Sequence, residues 1–322
     1  MNLIPEYRSF SVAVEGVKAA LERDGVAVVP GVISAESLPS LRNSMWETFE
    51  TLTRDRLQRS DPTTFSVLSE YYPIHSMLYQ HWGLGHAQYV WDIRGSAGVI
   101  DTFSKLWGTN DLITSFDGVS LHLPFEDTKK GFYRGNDWLH TDQRSSRNDL
   151  VSYQGAVNLY DVNAGDATTR VLTGSHVLHR EYMQHFNIDT GSSDWHKMPK
   201  DAVEEHVNFF LERGCEKACV LANAGDIVLW DSRTMHQGVE AQKGRAQRNT
   251  RSVVYVCMVP RSTATPAAQR KRKQIFADKR MTTHLPQQAK LFPKMPRTYG
   301  GAPPSVGALP DPVLTQAARR LI

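Results

Sequence analysis

Residues 135–147 read GNDWLHTDQRSSR, and within them His140 and Asp142 stand two positions apart. In an extended chain, residues i and i+2 point to the same face, so both side chains can turn toward one ion. On its own the pair fits a polar turn as well as a metal site. Residues 224–238, AGDIVLWDSRTMHQG, offer a third ligand. AGD is a turn, IVLW reads as a buried strand, and DSRTMHQG is a strand end or loop that carries His236. A neighbouring strand could bring His236 to the same ion.

Two imidazoles and one carboxylate on one face of an ion leave the opposite face open. This is the donor set of non-haem Fe(II) oxygenases, in which a 2-oxo acid can chelate two open positions and dioxygen can take the third. A four-ligand cage would block that reaction. The distal carboxylate of a 2-oxo acid also needs a cation, and the guanidinium fork matches it in a bidentate way. Arg251 begins the strand RSVVYVCMV (251–259), and a strand returning beside that of His236 would bring it close to the metal. Arg245 and Arg248 in the preceding loop are alternatives. Gln143 and Gln154 are read as contacts to cosubstrate or substrate, or else as structural. Arg94 in YVWDIRG is a candidate for a substrate carboxylate, or a partner of Asp92 or Asp117. Trp138 is a candidate substrate contact; it and Trp230 otherwise read as core or pocket wall.

Working outward, short β-like runs recur between turn signals: LITSFDGVSLHL, SYQGAVNLYDV, RVLTGSH, KACVLANAGDIVLW and RSVVYVCMV. Such spacing predicts a sandwich or barrel. Ahead of them, VEGVKAALERDG has helical periodicity and a glycine stop at Gly25. VAVVPGVI is β-rich, and Ser34 can cap a second helix in SAESLPSLRNSMWETFETL. Residues 60–110, rich in aromatics and His, resist assignment and suit either a wall over a pocket or a packed loop. An insert at about 177–215 contains helical stretches such as DAVEEHVNFFLERG. Beyond 260 the pattern predicts a helix over 266–280, followed by irregular Pro-rich chain. One domain is expected over 1–322, with a helical preface at about 10–55, a β core at about 112–260 and a basic extension at 261–322.

The chain has 322 residues, 40% hydrophobic and 22% charged, which is ordinary globular composition. No basic flank precedes an apolar run at the start, and no stretch approaches the roughly 18 apolar residues of a membrane helix. These features predict a soluble, cytoplasmic protein. Three cysteines, Cys215, Cys219 and Cys257, imply no disulfide framework. The net charge is +3, but residues 261–280 hold seven Lys/Arg and one Asp, a local +6, so the remainder carries −3. Such a segment can attract a polyanion, yet few aromatics are interleaved for base stacking, and a solvated helix face is the simpler reading.

In WLHTDQ (138–143), VLTGSH (171–176), AGDIVLWDSRTMHQG and the following arginine, taken in that order, the sequence resembles the phytanoyl-CoA dioxygenase superfamily of Fe(II)/2-oxoglutarate oxygenases. The helix–strand–helix opening at 14–52 also matches. The resemblance implies a mainly β fold with flanking helices, a double-stranded β-helix or jelly roll. It implies Fe(II) at His140, Asp142 and His236, with 2-oxoglutarate on the arginine and dioxygen as oxidant. It implies hydroxylation of a small molecule with release of succinate and CO2. The sequence departs from the family in AGDATTRVLTGSH, where Thr173 replaces a proline, and in a longer His-to-Arg spacing. Halogenating relatives lack the carboxylate, so Asp142 favours hydroxylation. His176 of GSH reads as structural. The alternatives are an oxidative demethylase acting on nucleic acid, to which the basic segment points, and a jelly-roll binding protein without turnover.

Overall fold

The computed structural model describes residues 6–322. Two mostly antiparallel sheets face each other, with helices on the outside, in a jelly-roll-like arrangement. One sheet runs, in spatial order, Tyr7–Ser9 (β1), Lys217–Leu221 (β10), Thr168–Leu172 (β8), His236–Val239 (β12), His140–Thr141 (β6) and His196–Lys197 (β9). The other runs Val26–Val29 (β2), Ile227–Asp231 (β11), Tyr153–Asn158 (β7), Arg251–Pro260 (β13), Val119–His122 (β5) and Leu78–Tyr79 (β3), with Leu112–Thr114 (β4) also pairing with β13. β1 joins β10 in parallel, and the other pairings are antiparallel. From β10 to β13 the chain passes through the first sheet, the second, the first and the second again, so strands close in sequence end on facing layers.

β11 shows why its run of apolar residues is buried on both sides. Val228 and Trp230 point between the sheets, among Val26, Val28, Ala156, Val171, Ala218, Val220 and Val253. Ile227 and Leu229 point the other way, into the larger cluster with Met45, Phe49, Leu52, Val90 and Phe103. A strand covered on both faces needs no polar alternation. The outer cluster is supplied by helices Val17–Asp24, Leu38–Leu52, Gln88–Arg94 and Ala97–Trp107. Each of these buried apolar side chains contributes about 1.5–3 kcal/mol relative to exposure. Gly98 lets helix Ala97–Trp107 press against the turn at Val32: a Cβ there would lie 2.3 Å from the Val32 carbonyl oxygen.

The helix stop at Gly25 is observed. Gly25 is left-handed (φ 74°) and donates to the Leu21 carbonyl. Its own carbonyl accepts from Asp231 N and Thr234 Oγ1, so this cap is tied to the loop that precedes His236. Ser34 does not cap the next helix. That helix begins at Leu38 after a turn, and the Ser34 hydroxyl meets the Ser37 hydroxyl instead. The stretch that resisted assignment folds as a 3-10 segment, Pro62–Tyr71, then β3, then the two helices over 88–107. Helix Pro266–Ala277 starts at a Thr265 cap. The insert buries Tyr182, Met183, Met198, Val207, Phe209 and Phe210 against Leu172 and Met235. Among the described residues no helix is long and apolar enough to cross a membrane.

Candidate metal centre and its cavity

His140 and His236 are direct cross-strand partners on β6 and β12. Their rings lie 4.2 Å apart, centroid to centroid. Ser232 sets the register between the two motifs. Its carbonyl accepts from Asp142 N (3.0 Å) and Thr141 Oγ1 (2.9 Å), and its hydroxyl donates to Gln143 Oε1 (2.9 Å). HTDQ is thereby fastened to DSRTMHQ, and Asp142 is turned toward both imidazoles. His140 Nε2 lies 3.9 Å from Asp142 Oδ1, and His236 Nε2 lies 3.3 Å from Asp142 Oδ2. All three residues are buried, and their ligand atoms lie within 4.8 Å of one another, close enough to hold a metal ion.

The tautomers suit that role. His140 Nδ1 faces the Trp138 carbonyl (3.3 Å) and His236 Nδ1 faces the Thr234 carbonyl (2.9 Å). A carbonyl only accepts, so each Nδ1 carries a proton and each Nε2 is the ring atom turned toward the centre. Burial, reinforced by His236, pushes His140 down to about 3, so its ring is neutral at physiological pH. Burial alone would raise the Asp142 carboxyl. The surrounding rings of His284, His140 and His236 outweigh it and hold Asp142 well below the usual carboxylate range. A neutral His140 imidazole beside an ionised Asp142 carboxylate suits a divalent cation. Gln154 Nε2 donates to Asp142 Oδ2 (3.1 Å), fixing the carboxylate's rotation.

A second network holds the strand entering the site. Asp137 accepts from Arg170 (2.6 Å), Gln237 (2.8 Å) and Lys217 (2.9 Å), and Gln237 in turn accepts from Trp138 N. The Trp138 indole donates to the Gly238 carbonyl and stacks between His75 (3.8 Å, 12°) and His140 (4.7 Å, 10°). Trp138 is therefore wall, covering one face of a candidate ligand.

Arg251 is 3% exposed, but a neighbouring strand is not how it approaches. It sits on β13 of the other sheet, opposite His122, and reaches across the gap between the sheets. Nη1 donates to Ser120 Oγ (2.9 Å), Nη2 lies 3.4 Å from Thr169 Oγ1, and Nε has no partner. Among the described residues no carboxylate pairs with it. Arg245 is engaged by Glu126 and Asp166, and Arg248 is exposed in the loop. Two sequence-based expectations are corrected. Arg94 is fully buried and donates to the carbonyls of Gly85, Asp117 and Tyr255, so it braces backbone and does not face a substrate. Gln143 spends its amide on the carbonyls of Arg147 and Asp149 and its oxygen on Ser232, leaving nothing for a cosubstrate. His176 contacts the Glu22 carbonyl, as a structural histidine should.

Above the triad opens a cavity of about 1080 Å³, lined by His140, Asp142, Gln154, Thr169, Trp138 and Trp230 at its floor. Its walls come from 65–81, from Trp195 and Lys197 of the insert, and from 283–299. The basic extension is thus packed on the core and builds the site. It contributes His284, whose Nδ1 lies 3.9 Å from Asp142 Oδ2 and whose Nε2 is buried without a partner. No motif surrounds His284 in TTHLPQQ, and only the fold reveals it.

No family model matches the chain. It is 32% identical over 212 residues, 65% of its length, to Ava biosynthesis cluster protein O of Aspergillus versicolor, and the match spans 66% of that relative. Among solved structures, a hypothetical protein of Escherichia coli superposes with a TM-score of 0.50 at 14% identity, over 77% of this chain and 71% of the other. That likeness shows the fold. AviO1 of Streptomyces viridochromogenes gives a TM-score of 0.49 at 16% identity, covering 79% and 97% of the two chains. The α-ketoglutarate-dependent epimerase SnoN of nogalamycin biosynthesis, in a complex with Fe3+ and α-ketoglutarate, gives 0.47 at 16% identity, covering 76% and 83%.

Proposed function

We propose that the chain is an Fe(II)/2-oxoglutarate-dependent dioxygenase that hydroxylates a small molecule and releases succinate and CO2. We read its fold as a double-stranded β-helix in one domain and place it with the phytanoyl-CoA dioxygenase superfamily. The observation that carries this reading is the pairing of two carbonyl-anchored imidazoles with one ionised carboxylate, beside a buried arginine that lacks an acidic partner. In this reading His140, Asp142 and His236 hold the iron, which when bound supplies dioxygen activation coupled to decarboxylation of the 2-oxo acid. Arg251 receives the distal carboxylate, exchanging weak hydroxyl contacts for a charge-assisted pair. Gln154 keeps one Asp142 oxygen occupied, so the carboxylate offers the other. Trp138 and Trp230 wall the site and limit water. The name of the 32%-identical relative, a biosynthesis cluster protein, agrees with a small-molecule substrate.

The basic segment supports nucleic-acid binding less than its composition suggests, because Arg272 points inward onto backbone carbonyls. The test is an anaerobic titration with Fe(II) and 2-oxoglutarate. A visible charge-transfer band is expected in the parent and absent from Asp142→Ala and His236→Ala, and succinate release follows the same pattern when a substrate is supplied. An Asp142→Ala variant that forms the band and makes succinate like the parent overturns the assignment.

A further inference from the structure

The chain has seven exposed large hydrophobic side chains among the described residues, and four of them line this one cavity: Ile74, Trp195, Met295 and Tyr299. Scattered exposure is ordinary, but concentration around a single opening marks a binding surface. Tyr299 is 91% exposed and Trp195 47%. Trp195 also lies 5.9 Å from the His140 ring, so the apolar shelf is continuous from the mouth to the candidate metal. The cations are equally one-sided. Lys130, Lys197 and Arg297 line the cavity and are exposed, and among the described residues their side chains make no hydrogen bond or ion pair. The only carboxylates in the lining are Asp117 and Asp142, both buried on the floor.

We infer that the substrate is a bulky, ring-bearing apolar molecule with one anionic group, its rings on the aromatic wall and its anion among the cations at the mouth. What is done to the molecule rests on the dioxygenase reading; what is bound rests on the cavity. The volume, about 1080 Å³, lies just above the range of roughly 300–1,000 Å³ that takes drug-sized ligands, leaving room for a multi-ring body beside a cosubstrate. Aromatic walls gain offset and edge contacts with rings, and a rigid body loses fewer rotors on binding than a flexible chain.

The probe is 8-anilinonaphthalene-1-sulfonate, an anionic ring pair, titrated by fluorescence against the full chain. Its comparison is N-phenyl-1-naphthylamine, with the same rings and no charge. The sulfonate is expected to bind at one site, about tenfold more tightly than the neutral compound, given two modest exposed charge contacts. The double variant Lys197→Ala/Arg297→Ala should erase that difference. Trp195→Ala should weaken both probes about tenfold, in line with loss of an aromatic anchor. These positions are exposed, and circular dichroism verifies the fold of each variant. Equal binding of the two probes, or parental binding by these variants, overturns the inference. So does displacement of the sulfonate by octanoyl-CoA at equal concentration, which would identify a flexible acyl carrier instead. A parent that binds the sulfonate as described but gives no Fe(II)–2-oxoglutarate band would overturn the dioxygenase reading and leave the binding inference standing.

Discussion

Replacing Arg251 by methionine should move stability and cosubstrate affinity in opposite directions. The guanidinium is 3% exposed, has one good hydrogen bond to Ser120 Oγ, and leaves Nε without a partner. A buried charge with so little compensation costs the protein free energy, and methionine of similar length removes it without opening a large cavity. Unfolding stability without ligand should therefore be unchanged or higher by up to about 2 kcal/mol. Binding of 2-oxoglutarate should suffer. Two charge-assisted hydrogen bonds at about 1.5–3 kcal/mol each, partly replaced by water, correspond to a loss of about 2–4 kcal/mol, or roughly 30-fold to 800-fold in Kd. The assay pairs urea unfolding of the metal-free protein with calorimetric titration of 2-oxoglutarate into Mn(II)-loaded protein. In the parent, ligand at 100 times Kd should add about 2.7 kcal/mol of stability, and the same concentration should add only about 0.1–0.9 kcal/mol to the variant. A variant that loses more than about 2 kcal/mol without ligand yet binds 2-oxoglutarate like the parent would make Arg251 a structural residue and refute the argument.

Burial pushes His86 and His122 down to about 4 from 6.5, so both are neutral in the fold and take up protons on unfolding below about pH 6.5. Stability should be fully present above pH 6.5 and fall as pH drops toward 4, by up to about 1.4 kcal/mol per pH unit for each ring; urea midpoints across that range check it, and His122→Gln should flatten the slope. Gly98→Ala drives a methyl against the Val32 carbonyl and should destabilise by about 1–3 kcal/mol, read by thermal unfolding. Arg272→Met strips the carbonyls of Thr114, Pro286 and Leu321 of a donor, and should loosen 281–299 locally, read as faster proteolysis and hydrogen exchange there and weaker probe binding in the cavity.

Legibility in the sequence followed the range of the interactions. The opening helix and its stop were readable because periodicity and a left-handed glycine act within a few residues. His140, Asp142 and His236 were readable because strands alternate and a donor set has a fixed chemistry. Arg251 was expected beside the His236 strand, but it lies on the facing sheet and touches Thr169 across the gap, and no local pattern distinguishes a strand beside β12 from one across the barrel. Gln143 followed the aspartate in sequence but turned toward the Arg147–Asp149 turn, since the residue after an inward-facing one points away. His284, Trp195 and Lys197 carried no signal at all. They come from an irregular tail and an insert whose positions depend on tertiary packing, and they supply the walls that would choose a substrate.

Among the described residues, the four arginines buried as whole residues separate structure from function more sharply than any motif does. Arg170 is neutralised by Asp137. Arg94 and Arg272 have no acid, yet each collects three backbone carbonyls, and burial pushes them down to about 10 and about 9 while leaving them charged at physiological pH. Their charge is used to satisfy carbonyls that irregular chain would otherwise leave orphaned in the interior. Among the described residues Arg251 has neither an acid nor a carbonyl set, only a serine hydroxyl at 2.9 Å and two contacts at 3.4 Å. A stable core has no use for a cation in that condition, and methionine or leucine would fill the space at less cost. An anion arriving from solution would compensate it, as the proposed binding of 2-oxoglutarate requires, and Thr169, which it touches, lines the cavity over the His140–Asp142–His236 cluster.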